Sequence, residues 1–260
     1  MTSISSFVPA CTAERVVRVY GRGDAEVRAL DGVTVAFERG RFTAIMGPSG
    51  SGKSTLMHAL AGLDGIDSGR VILHGDRHRV DVEISSASDT VLTELRRDRI
   101  GFVFQAFNLL PVLTARDNIL LPMRLAGTRP SPEWFDEVTG RLGLRDRLDH
   151  RPHEMSGGQQ QRVAVARALL PQPDVIFADE PTGNLDSHAG AEVLSMLRSS
   201  VRETGQTVVM VTHDPVAASY SDRVVLLADG RLAGGIENPT VDSVIDTMRE
   251  LRSATAATVR

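Results

Sequence analysis

Residues 42–55 read FTAIMGPSGSGKST, an apolar run that stops at a glycine-rich turn and restarts as a helix. Few segments restrict a fold more. The run Phe42 to Met46 suits a strand buried on both faces, and the stretch Gly47 to Gly52 supplies a tight turn into a helix that opens at Lys53. The spacing matches G-x-x-x-x-G-K-[ST] in its strand, loop and helix setting, the arrangement that cradles a polyphosphate. Glycines let the backbone approach the phosphates and turn N–H groups inward, and the helix N-terminus adds a dipole that favours negative charge. Lys53 is the only lysine among 29 basic residues. Its compact ammonium can reach β- and γ-phosphates from inside a tight loop, where a guanidinium is larger and holds its donors in a fixed fork. Ser54 would ligate Mg²⁺ through its hydroxyl. Gly47, Ser49, Gly50, Ser51, Gly52, Lys53, Ser54 and Thr55 are the candidate phosphate-binding residues.

The rest of the chain fits an α/β protein built around that loop. Short apolar runs rich in β-branched residues occur at Val16 to Tyr20, Val33 to Phe37, Val71 to Leu73, Ile100 to Phe104, Val175 to Ala178, Val208 to Val211 and Val224 to Leu227. Helical patterns lie at Lys53 to Ala61, Glu133 to Leu142, Gln159 to Leu170 and Ala189 to Glu203. Strands alternating with helices imply a mostly parallel sheet. Residues 107–168 break the alternation with helical patterns punctuated by prolines, so they read as a helical lobe inserted into a core of 14–106 and 169–250. Residues 1–13 read as an N-terminal extension and 251–260 as a flexible tail.

Composition names no partner. A net charge of -4 gives no global attraction to nucleic acid or anionic lipid. Cys11 is the sole cysteine, which rules out an intramolecular disulfide or a thiolate metal cluster and reads as an inert thiol in a mobile N-terminus. The start MTSISSFVPA lacks the basic and apolar blocks of a secretory signal. No stretch approaches the roughly 18 to 20 uncharged apolar residues that cross a bilayer. Any membrane role is therefore expected through a partner.

Two further motifs complete a chemistry. Val175 to Glu180 is an apolar strand ending in two carboxylates, which places Asp179 to hold the Mg²⁺ shell and Glu180 to polarise an attacking water. Met155 to Arg162 reads MSGGQQQR, where Ser156 is a good N-cap and Gly157 and Gly158 bare the first-turn amides of a helix. One nucleotide needs one phosphate loop. A second anion site makes sense if two chains meet head to tail, each loop facing the other chain's Ser156 segment across the nucleotide.

Ser156-Gly157-Gly158-Gln159, placed after the glycine loop and just before Asp179-Glu180, resembles the signature of ATP-binding cassette (ABC) ATPases. The resemblance covers roughly residues 14 to 235. It implies a P-loop core with a mostly parallel sheet, an antiparallel β subdomain and an inserted α-helical lobe, with ATP and Mg²⁺ as ligands. It also implies that Tyr20 stacks on adenine, that Gln105 senses Mg²⁺ and the water, that Asp186 links the two active sites, and that His213 contacts the γ-phosphate. The segments Ile100 to Pro111, Thr114 to Ile119 and Asp179 to Asp186 are similar to the lipoprotein-release, macrolide-export and antimicrobial-peptide branch. Members of that branch pair with permeases that carry few transmembrane helices and a large extracytoplasmic domain.

The expectation is a cytoplasmic ATPase, peripheral on the inner face of the membrane, that forms an ATP-dependent homodimer and powers such a permease. Its cargo by analogy is a lipophile, lipoprotein, drug or peptide, exported or extracted, with no direct nucleic-acid contact. A cell-division type ATPase controlling a wall hydrolase shares every motif. ABC-type ATPases acting on ribosomes or DNA are disfavoured by the single cassette, the absence of a coiled-coil insertion and the lack of metal cysteines. A regulatory subunit with little turnover is disfavoured because every catalytic position is filled. Two departures from the pattern are Met155, where leucine is usual, and the longer, more polar stretch Asp76 to Thr93.

Overall fold

A computed structural model describes residues 8–76 and 78–258. The first part of the chain runs β1 (Pro9–Tyr20), β2 (Val27–Glu38), β3 (Phe42–Met46), α1 (Lys53–Leu60), β4 (Ser68–Leu73), β5 (Val82–Glu83), α2 (Asp89–Asp98) and β6 (Ile100–Phe104). Then come the lobe helices α3 (Ala115–Leu125), α4 (Pro132–Arg141) and α5 (Gly157–Leu169). The chain returns through β7 (Val175–Asp179), α6 (Ser187–Thr204), β8 (Val208–Val211), α7 (Pro215–Ala218), β9 (Arg223–Ala228), β10 (Arg231–Glu237) and α8 (Val241–Thr258).

Two sheets divide the strands. One has the order β10-β9-β3-β8-β7-β6, parallel except for the β9–β10 pair, and the other has the antiparallel order β2-β1-β4-β5. The central strands β3 and β8 are buried along their whole length, because both faces of the larger sheet are covered. One face packs Ile45, Phe177, Val209 and Val211 with Leu56, Met57 and Leu60 of α1 and with the inner side of the antiparallel sheet. The opposite face packs Ala44, Met46, Ile176 and Met210 with α5, α6 and the lobe. Ile45 and Asp179 both face Val211, and Phe104 faces Asp179. The carboxyl ends of β3, β8, β7 and β6 therefore finish level, which puts four loops side by side along one sheet edge.

Several expectations change. β1 begins at Pro9 and pairs with both β2 and β4, so residues 9–13 belong to the sheet and not to an extension. Cys11 is accordingly a core residue, fully buried, its thiol pushed up to about 12 by burial against the opposing pull of Arg39. It is inert through packing and not through mobility. Helix α8 runs through Thr258 across residues read as a tail, while 1–7 and 259–260 lie outside the described residues. The hairpin from β9 to β10 turns on Asp229 and Gly230, both with positive φ, as a two-residue Asp-Gly turn of twisted strands requires. β10 escapes an apolar-run search because it is almost wholly exposed.

The polar stretch after β4 is a clasp followed by regular structure. His74 Nδ1 meets Asp81 at 2.8 Å, and Asp81 also accepts from the Gly75 N–H at 2.9 Å. Arg79 and Arg99 both bind the buried carboxylate of Asp174, at 2.8 and 2.5 Å, and Arg99 further donates to the Val80 carbonyl at 2.9 Å. The segment is thus tied to the residue that precedes β7, at the sheet edge opposite the level loops. Beyond it, Ser88 caps α2, accepting from Val91 N–H, and Arg96 donates to the Gly62 carbonyl at 2.6 Å.

Candidate functional site

The glycine loop is shaped by what it must approach. Gly52 has φ +96, and a Cβ there would overlap the Ala29 carbonyl of β2; a Cβ on Gly47 would overlap the Leu227 carbonyl of β9. Only glycine lets the loop lie this close to both sheets. Ser49 and Gly50 are exposed, Ser54 is exposed and Thr55 half-buried, so that part of the loop faces outward. Ser51 departs from its expected place: its side chain is buried without a hydrogen-bond partner and its N–H donates to Pro48 O at 3.2 Å. Lys53 Nζ also donates to Pro48 O, at 2.8 Å. Burial pulls the Lys53 ammonium below the ordinary lysine range, opposed by the carboxylates of Glu180 and Asp179. A half-buried ammonium held only by a carbonyl is suited to an anion.

Along the same edge, Asp179 ends β7 half-buried, its carboxyl raised above the usual range by burial and by Glu180, with His58 and Lys53 pulling the other way. His58 Nε2 stands 3.9 Å from Asp179. Nothing in its spacing from the loop announced it; the meeting arises because α1 packs over the sheet. A half-buried carboxylate with no arginine or lysine in hydrogen-bond contact among the described residues, on the sheet edge from which the glycine loop leads to Ser54, fits a hard divalent cation that would take its remaining oxygens from phosphate and water. Asp179, Ser54 and the Gln105 carboxamide are the residues here that would hold Mg²⁺.

Glu180 follows Asp179 in the left-handed region, at φ 45, uncommon for a side chain of this size. Its N–H donates to Val211 O at 2.9 Å and its carbonyl accepts from Gly183 N–H at 3.0 Å, so the surrounding turn holds the strained backbone in place. His213, two residues past β8, brings Nδ1 to 2.8 and 2.7 Å from the two Glu180 oxygens. A ring nitrogen facing a carboxylate carries the proton, which leaves Nε2 free.

Gln105 follows β6. Its Nε2 donates to Asn184 Oδ1 at 3.2 Å and its carbonyl accepts from Asn184 Nδ2 at 3.1 Å. Past Ala106, Phe107 and Asn108 take positive φ, and Arg167 of α5 donates to both carbonyls, at 2.9 and 2.6 Å. Burial lowers the affinity of that guanidinium for its proton.

The other expected residues, Ser156, Gly157, Gly158, Gln159, Asp186 and Tyr20, sit at the starts of two helices and the end of a strand. Ser156 caps α5 in a reciprocal box with Gln159: Ser156 Oγ accepts from Gln159 N–H at 3.3 Å, and Ser156 N–H donates to Gln159 Oε1 at 2.9 Å. Gly157 lies against Leu185, and a Cβ on Gly158 would stand 2.9 Å from the Ala189 Cβ of α6. The helix N-terminus is therefore seated on α6, with Ser156 exposed and Gly157 and Gly158 partly exposed. Asp186 is the N-cap of α6, accepting from Ala189 N–H at 2.9 Å. Tyr20 is exposed at the end of β1, its hydroxyl donating to Asp64 and one ring face covered by the Arg18 guanidinium at 4.8 Å. Its other face is the one available for a base.

A loop that receives phosphates, a carboxylate fit for a divalent cation and a histidine-oriented glutamate on adjacent strands can set a water against a terminal phosphate. That defines a P-loop nucleoside triphosphatase. Residues 30–183 match the family model described as ABC transporter. The ATP-binding protein YxdL of Bacillus subtilis is 43% identical over 238 residues, covering 88% of this chain and 90% of its own. The macrolide export ATP-binding/permease protein MacB of Marinobacter nauticus is 43% identical over 236 residues, covering 89% of this chain and 36% of its own. A dimeric, post-hydrolysis structure of the ATP-binding cassette MJ0796 with ADP and phosphate superposes with a TM-score of 0.76 at 38% identity, covering 88% of this chain and 99% of that one. The chain belongs to the ABC transporter family, as an ATP-hydrolysing subunit. No helix among the described residues is long and apolar enough to cross a membrane.

Proposed function

We propose that two copies of this chain close head to tail around two MgATP and drive a separate membrane permease from the cytoplasmic face. The observation that carries the reading is the separation of parts: Lys53, Asp179, Glu180 and His213 share one sheet edge, whereas Ser156 opens a capped, solvent-facing helix seated on α6. A second copy can bring that helix end to the first copy's nucleotide.

In this reading Tyr20 stacks on adenine, and Lys53 with the backbone of residues 47–55 holds the phosphates. Ser54, Asp179 and Gln105 hold Mg²⁺, which when bound neutralises charge on the phosphate oxygens. Glu180 takes a proton from the attacking water, and His213, oriented through Nδ1, offers Nε2 to the γ-phosphate. In the second copy, Ser156 and Gln159, locked in their capping box, present the N–H groups of Gly157 and Gly158 to the same phosphate, and Asp186 at the cap of α6 links the two sites.

The docking region for the permease is the lobe near Gln105 to Asn118. It is supported by an apolar groove of about 590 Å³ between β6 and α3, lined by Phe102, Phe104, Leu121, Leu125 and Arg167. The name of MacB joins macrolide export, ATP binding and a permease, which supports a permease partner and export; the large extracytoplasmic domain and a lipophile, lipoprotein, drug or peptide as cargo rest on the branch resemblance of the sequence. The test is to purify tagged Glu180→Gln from native membranes with MgATP and identify its companions by mass spectrometry. A few-helix permease with a large external domain is the expected companion. Ribosomes or DNA-binding proteins in its place would end the transport reading.

A further inference from the structure

The helix that would face the partner's nucleotide also touches the catalytic loops of its own chain, and it does so through one side chain. Gln161, in the second turn of α5, is fully buried. Its Nε2 donates to Phe104 O at 3.2 Å and to Pro181 O at 2.5 Å. Phe104 is the last residue before Gln105, and Pro181 is the first residue after Glu180. Two carbonyls facing one carboxamide atom require a donor there, so the orientation of the amide is decided by its surroundings. Gln161 Oε1 is buried with no hydrogen-bond partner. A methionine would fill the same space but leave both carbonyls without a donor, so the site requires the amide and not merely its volume.

We propose that Gln161 is a positioning residue that fixes Glu180 and Gln105 to the helix beginning at Ser156. The two loops are stitched twice: at the surface by the reciprocal Gln105 and Asn184 bonds, and beneath it by Gln161. The inner stitch matters more to Glu180, because Pro181 O belongs to the turn that holds Glu180 at positive φ. Movement of α5 on meeting the partner's nucleotide is thereby passed to the water-holding residues of the same chain. The inference rests on the reading that Glu180 activates water and that the Ser156 helix meets the second copy's ATP.

Gln161→Met keeps the volume and removes both donors. The experiment measures kcat and KM for MgATP, direct ATP affinity, and the thermal midpoint, each normalised to folded protein, for wild type, Gln161→Met and Glu180→Gln. The expected result for Gln161→Met is a kcat at least tenfold lower, with KM and ATP affinity within about twofold of wild type at a temperature where the variant is folded. Wild-type kcat in folded Gln161→Met, with Glu180→Gln inactive, overturns the role of Gln161 and leaves the catalytic reading intact. Parallel loss of kcat and ATP affinity makes the residue merely structural and also overturns it. Normal turnover in Glu180→Gln would instead remove the reading on which the inference stands.

Discussion

His213 Nδ1 lies 2.8 and 2.7 Å from the two carboxylate oxygens of Glu180, which itself stands at φ 45. One contact thus joins the loop after β8 to the loop after β7, and it orients both groups. Glu180→Gln is expected to bind ATP, to hydrolyse it roughly 10² to 10⁴ times more slowly, and to accumulate as an ATP-bound dimer. His213→Ala is expected to lose about a hundredfold in kcat, in line with removal of one preorganised donor. Single-turnover hydrolysis and sizing in MgATP measure both; unchanged turnover in Glu180→Gln would mean that another group is the base.

Among the described residues Lys53 has no carboxylate in hydrogen-bond contact and rests on Pro48 O. Lys53→Ala should weaken MgATP binding by about ten- to a hundredfold or more, because hydrogen bonds to charged groups are worth about 1.5–3 kcal/mol each. Titration with a fluorescent ATP analogue reads the change. Normal affinity would refute the phosphate role.

Asp179 is a carboxylate whose folded-state pKa is raised, chiefly by burial. The folded protein therefore binds more protons at this site than the unfolded chain between the two pKa values. Its contribution to stability is greatest at acid pH and is lost as pH rises through the folded value. Asp179→Asn removes that loss, so the nucleotide-free variant should melt at or above the wild-type temperature at pH 7 while Mg²⁺-dependent hydrolysis fails. A variant that melts lower than wild type and still hydrolyses would contradict both halves.

Asp174 is buried between Arg79 and Arg99, and Arg99 is itself buried. Asp174→Ala strands a buried guanidinium and should cost about 3–5 kcal/mol of unfolding free energy, measured in urea. ATP affinity of the folded variant should hold, because the clasp sits at the sheet edge away from the glycine loop. A loss below about 1 kcal/mol would show that the clasp is solvated like a surface pair.

The parts of this protein that a reader of the sequence can find are those whose physics is local. The glycine loop, the apolar strand ending in Asp179 and Glu180, and the Ser156 cap each act through residues a few positions apart, so spacing alone announces them. β10 and the start of β1 were missed because an exposed hairpin strand and a proline-led strand carry little apolar signal of their own. His213 and Gln105 could be placed only by resemblance, since 33 residues separate His213 from Glu180 and 79 separate Gln105 from Asn184. His58 beside Asp179, Gln161 across two loops and Arg79 on Asp174 had no local signature at all. Those contacts depend on the strand order β3-β8-β7-β6 and on the helices packed over it. Sequence determines which groups can cradle a phosphate or polarise a water. Tertiary packing decides which of them meet, because burial and register bring distant backbone segments to one edge and leave each buried polar group to find its partner there.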